Sequence, residues 1–201
     1  LDGNLQASNA ALAPGDLAGG AGRRGETIDP VTSLRATLNQ WCRRLAHALL
    51  FRMVFGERSQ GVLRPETRVS PATCIDHADR LTLGDHVYIG PFNFIEASGG
   101  ITIEDGVQIT SHCSIVTHSS HRAQRLLGAA YVGWPAGAAR PGWIAGPVHI
   151  GAYSFIGPHS LIEAHTRLGR GTLVCAGSFV RGDYPDFAIL EGRPARIVGD
   201  T

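Results

Sequence analysis

The chain has 201 residues, is 43% hydrophobic and carries a formal net charge of +1. It is sized for one domain with appendages and holds no bulk charge that would draw it to nucleic acid. No apolar run approaches the roughly 20 residues needed to span a bilayer, and the start at Leu1 rather than Met leaves room for a missing or removed leading segment.

Residues 1–30 are rich in Gly, Ala, Asn and Asp without periodicity, which predicts a flexible tail. Pro30 and Ser33 are helix-start residues. Beyond them Leu34, Leu38, Trp41, Leu45 and Leu49 recur at helical spacing, accompanied by Arg35, Arg43, Arg44 and Arg52. The segment 31–60 is therefore read as a basic amphipathic helix. The plain expectation is that it packs on the next domain and caps it. The sharper one is that it lies on an anionic membrane surface as a peripheral contact.

From 61 to 201 a six-residue period takes over. Apolar anchors fall at Leu83, Ile89 and Ile95, slip by two residues, and resume at Ile103, Ile109 and Ile115. They return at Ile150, Ile156, Ile162, Leu168, Val174 and Val180. No helix or strand period holds phase over such a span; a short fixed repeat with an inward apolar residue predicts a parallel β-helix. Three hexapeptides close one triangular coil of about 18 residues, and coils stack about 4.8 Å apart. The residue after the anchor is often Gly, as at Gly84, Gly90, Gly151 and Gly157, suiting a tight corner.

The phase is lost over 119–146, which predicts a protruding loop on one face, where solenoids often bind their ligands. Trp134 and Trp143 within it are candidate platforms for a sugar or an adenine, or packing residues. The four cysteines, Cys42, Cys74, Cys113 and Cys175, form no CxxC pair. They are expected to be small buried hydrophobes in a reducing cytoplasm, with no metal site.

Three histidines, His112, His118 and His121, crowd the entrance of the loop. An exposed imidazole held by a rigid scaffold suits a general base near neutral pH. His118 and His121 are the candidates. Glu96 and Glu163 could orient a histidine, but a solvated corner carboxylate is the favoured reading. His149, His159 and His165 receive no role.

The hexapeptides, His121 at the loop entrance, and the ending Ala176-Gly177-Ser178-Phe179-Val180-Arg181-Gly182-Asp183-Tyr184-Pro185 with Gly192-Arg193-Pro194-Ala195-Arg196-Ile197 resemble the hexapeptide-repeat acyltransferases. Within them the chain is most similar to the maltose, galactoside and polysaccharide O-acetyltransferases, over about 69–198. The resemblance implies an all-β, left-handed β-helix, a homotrimer with sites between prisms, and acetyl-CoA as donor. It implies transfer to a hydroxyl of a sugar or glycan, with His121, at the commoner spacing, or His118 as base. The double-histidine Thr117-His118-Ser119-Ser120-His121 and the long loop depart from the simple sugar acetyltransferases. Arg193 and Arg196 are candidates for the coenzyme A phosphates, and Gly177 and Ser178 for close approach of the pantetheine arm. Competing expectations are N-acetylation of an amino sugar and a γ-carbonic-anhydrase-like or scaffold β-helix. The zinc version of the latter would use His112, His118 and His121.

Overall fold

A computed structural model describes residues 30–200 of the chain, so the predicted tail, Pro30 apart, lies outside the described residues. The chain divides between Trp41 and Cys42 into two compact units.

Helix α1 runs Pro30–Leu50 and is followed by Phe51, whose N–H still reaches the His47 carbonyl at 3.0 Å. Proline begins it, where a missing N–H costs nothing. Its residues 31–50 are all exposed. The expectation of a helix packed down as a cap is therefore not met over 42–50. Only beyond the helix does Phe51 set its ring edge-on against Phe92, 5.3 Å away.

The hexapeptides build three parallel sheets, the faces of a prism. On the first face Val69, Ile89, Ile109, Ile156, Val174 and Leu190 stand in register. On the second stand Ile75, Ile95, Ile115, Ile162 and Val180. On the third stand Leu83, Ile103, Ile150, Leu168 and Tyr184. The twelve anchors read from the sequence all lie in these three ladders and are almost completely buried. Branched side chains suit this arrangement because each stacks on its like one coil away. Close stacking also explains the glycines after the anchors. A Cβ on Gly90 would come within 2.6 Å of the Thr110 carbonyl oxygen, and one on Gly151 within 2.6 Å of the Gly169 backbone.

The coil length departs from the expected 18. Val69 pairs with Ile89 and Ile89 with Ile109, a spacing of 20 residues, whereas Ile156 pairs with Val174, 18 residues on. The two additional residues lie in each case between the second and third faces, after Ile75 and after Ile95. The insertion after Ile115 leaves from the same corner. One edge of the prism is thus widened twice and then opened.

The insertion is not a bare loop. His118–Ser119 pairs antiparallel with Ile144–Ala145, closing its base. Helix α2, His121–Leu127, and a 3-10 turn at Gly128–Tyr131 fill its first half. At the other end of the prism Ala188–Gly192 joins the first face, turns at Arg193–Pro194, and returns as Ala195–Asp200 antiparallel to itself. This hairpin adds Ala188, Leu190 and Ala195 to the buried core.

Candidate active site

The widened corner gathers Asp76 and His77 from one coil, Glu96 and Ser98 from the next, and Thr117 and His118 from the third. Parallel pairing of Asp76 with Glu96 and of Glu96 with Val116 fixes their order along the axis.

Glu96 is the buried centre, only 3% exposed. The reading of it as a solvated corner carboxylate is corrected: the side chain is buried, enclosed by donors from Ser98 in its own coil and Thr117 in the next. Its Oε1 accepts the Ser98 backbone N–H at 2.8 Å. Its Oε2 accepts the Thr117 N–H at 3.1 Å and the Thr117 hydroxyl at 2.8 Å. Burial alone would raise this carboxyl, but hydrogen bonds from Ser98, Thr117 and His118 outweigh it and hold it down at about 2. Glu96 is therefore a carboxylate at neutral pH.

His118 Nδ1 lies 2.7 Å from Glu96 Oε2. An ionised carboxylate only accepts, so Nδ1 carries a proton, and in the neutral imidazole the lone pair stands on Nε2. The Ser98 hydroxyl stands 3.2 Å from the same nitrogen. The side chain is 36% exposed. One ring face is covered by Trp143, stacked at 5.2 Å and 9°. The Arg140 guanidinium in turn lies over Trp143 and over Tyr131, 5.4 and 4.5 Å from their ring centroids. A carboxylate at the ring edge and an indole on one face hold the imidazole in place and in tautomer, which is what proton abstraction by Nε2 requires.

His121 is placed differently. It opens α2, is exposed, and its Nδ1 meets the Ser119 hydroxyl at 2.6 Å. No carboxylate contacts it among the described residues. His112 belongs to another edge of the prism, where it stacks between Phe92 (5.1 Å) and His159 (4.9 Å). Within one chain His112, His118 and His121 therefore do not converge as zinc ligands. Asp76, His77 and Glu96 do present ligand atoms within 4.8 Å of one another. His77 Nδ1 stands 3.3 Å from Asp76 Oδ1 and 3.8 Å from Glu96 Oε1. Glu96 Oε1, on this side, already accepts the Ser98 backbone N–H, and Asp76 is exposed.

The remaining candidates fall in two places. Trp134 is half-buried, with its indole N–H enclosed and unpartnered among the described residues. Gly177, Ser178, Arg193 and Arg196 gather in the last coils. Arg193 Nε donates to the Gly177 carbonyl at 2.6 Å, so two positions read separately in the sequence meet. Ser178 is buried with its hydroxyl unpartnered among the described residues, and Arg196 is exposed opposite Glu191. Ladder register puts Val180 two coils beyond Ile115, about 10 Å along the axis. A separate histidine–carboxylate contact, His149 Nε2 to Glu104 Oε1 at 2.9 Å, lies on the third face.

The cysteine expectation is also corrected. Cys113 is buried, but Cys42 and Cys74 are exposed.

No family model matches the chain. A probable acetyltransferase of Mycobacterium tuberculosis (strain ATCC 25618 / H37Rv) is 31% identical over 122 residues, 61% of this chain. The matched part spans only 38% of that relative's length. Among solved structures, a hexapeptide-repeat acetyltransferase of Vibrio cholerae O1 biovar eltor, complexed with acetyl coenzyme A, aligns with a TM-score of 0.56 at 23% identity. The alignment covers 81% of this chain and 78% of that one. A variant of the Bacillus cereus N-acyltransferase AntD, in complex with dTDP and coenzyme A, aligns with a TM-score of 0.51 at 23% identity, over 67% of this chain and 80% of that one. With its three parallel ladders, the chain has the fold of the hexapeptide-repeat acetyltransferases that its sequence resembles.

Proposed function

We propose that the chain moves an acetyl group from acetyl-CoA to a hydroxyl of a sugar or glycan, with His118 as general base and Glu96 as the residue that positions it. The observation that carries this reading is the 2.7 Å contact between His118 Nδ1 and the buried, ionised Glu96. Nε2 takes the proton of the acceptor hydroxyl as its oxygen attacks the thioester carbon. The carbon–sulfur bond then breaks, and the departing coenzyme A sulfur takes the proton back from His118. The relatives' description as acetyltransferases, and the acetyl coenzyme A bound to the Vibrio protein, support the donor. In this reading Arg193 and Arg196 serve the coenzyme A phosphates, where guanidinium groups fit in pairs. A neighbouring prism in a homotrimer, wound left-handed as in the family resembled, supplies the second wall of the site.

The test is coenzyme A release from acetyl-CoA against a panel of sugars, nucleotide sugars and amino sugars. His118→Ala is expected to lower turnover by roughly 10² to 10⁴-fold. His121→Ala is expected to leave most of it. The reverse order would move the base to His121. Turnover with amines alone would replace the hydroxyl acceptor by an amino sugar.

A further inference from the structure

Helix α1 carries an exposed apolar stripe among the described residues. Val31, Leu34, Leu38, Trp41, Leu45 and Leu49 are each 45–69% exposed. At about 100° per residue these six fall within roughly one quarter to one third of the helix circumference. Singly exposed apolar residues are ordinary; a continuous row of six large ones is not.

The charge around the stripe is of one sign. From Pro30 to Phe55 the chain holds Arg35, Arg43, Arg44 and Arg52 and no acidic residue. On the same angular count Arg35 and Arg44 flank the stripe on its two sides, and Arg43 lies behind it. Flanking arginines can lay their methylene stems along an apolar surface while the guanidinium reaches polar headgroups. No described helix is long and apolar enough to cross a membrane. A helix with an apolar stripe, a cationic remainder and modest overall hydrophobicity lies in the interface plane instead.

The geometry points to α1 as a membrane-surface anchor that recognises anionic lipid headgroups. A second copy of the helix is the less suitable occupant: pairing two such stripes brings like-charged arginines together with no acidic partner on either helix. Anionic lipid meets both features at once, with the acyl boundary for the stripe and phosphate for the arginines. The proposal is independent of the acyl-transfer chemistry.

The test is co-sedimentation of the full chain with phosphatidylglycerol-rich vesicles and with pure phosphatidylcholine vesicles, at low and high salt. Expected is binding to the first and little to the second, weakened by salt. Arg35→Gln and Arg44→Gln are each expected to weaken binding about fivefold. Leu38→Glu and Trp41→Glu are expected to abolish it. These positions are exposed, so the variants should elute at the parental mass with parental circular dichroism. Failure of the parent to bind anionic vesicles would overturn the proposal. So would a Leu38→Glu variant that binds as the parent does, or one that sheds a subunit, which would assign the stripe to a second copy.

Discussion

Glu96→Gln tests the centre of the site through stability as well as catalysis. In the folded chain the carboxyl lies at about 2, against 4.5 for a free one. At 1.36 kcal/mol per unit this is worth about 3 kcal/mol. Because the folded value is the lower one, the contribution is fully present above about pH 4.5. It is lost as pH falls towards 2, since protons then bind the unfolded chain first. Glutamine is nearly the same shape but does not titrate. Its amide oxygen can face Thr117 and His118 at the Oε2 position, but its NH₂ then meets the Ser98 N–H, two donors against each other. That mismatch costs about 1–3 kcal/mol at neutral pH. Urea unfolding at steps from pH 7 to pH 3, followed by circular dichroism, gives the difference between parent and variant. It is expected to be largest near pH 6 and to shrink steadily below pH 4.5. Loss of the charge that positions His118 should also cost about 10–100-fold in turnover, as with other partners of a functional histidine. A stability difference that stays constant from pH 6 to pH 3 would refute the ionised, hydrogen-bonded Glu96.

Three further outcomes bear on the scaffold. Ile109→Ala, in the middle of the first ladder and fully buried, should destabilise by about 2–5 kcal/mol in the same urea experiment; a loss under 1 kcal/mol would mean the prism interior is loosely filled. Gly151→Ala drives a Cβ against the Gly169 backbone, so it should cost more than an alanine at Gly100, where the added carbon meets open space but the positive φ is still strained; equal melting temperatures for the two would contradict the close coil stacking. In native protein Cys42 and Cys74 should be alkylated quickly, while Cys113, whose thiol burial pushes upward, should react only on unfolding; peptide mass mapping distinguishes the sites, and fast labelling of Cys113 would refute its burial.

Most of the prism was legible because its rule is one-dimensional. Each anchor needs only a like residue one coil away, so phase in the sequence is register in space. The slip between Ile95 and Ile103 was visible too, but its meaning was not. A two-residue excess reads as a defect until the fold puts it beside the excess between Ile75 and Leu83 and beneath the insertion after Ile115. Three irregularities scattered over about forty positions are one corner in space. That corner is the candidate site, and a bulge that re-aims side chains beside a functional group is a familiar use of such irregularity. The insertion was less legible: α2 carries no acidic first turn and no side-chain cap, so nothing in its composition announces a helix over the Gly- and Ala-rich background.

The histidines show why sequence alone could not choose the base. His77, His86, His112, His159 and His165, five of the nine in the chain, have φ between 56° and 62°. They occupy prism corners that demand a left-handed residue, a conformation histidine tolerates better than most side chains. Their recurrence follows from backbone geometry, and in sequence it looks the same as a catalytic cluster. His118 is not among them. It sits in a short extended pair with Ala145, where any residue would satisfy the backbone. What singles it out is a contact with Glu96 across 22 positions of sequence, which no local motif encodes. His121 is likewise free of the corner constraint, but its partner is the Ser119 hydroxyl two residues away. A neutral hydroxyl can accept from or donate to Nδ1, so it does not select the tautomer. A buried carboxylate does, and proton transfer at Nε2 depends on that selection. On this ground the proposed base is the deeper position at the loop entrance, three residues before the one the family spacing favoured.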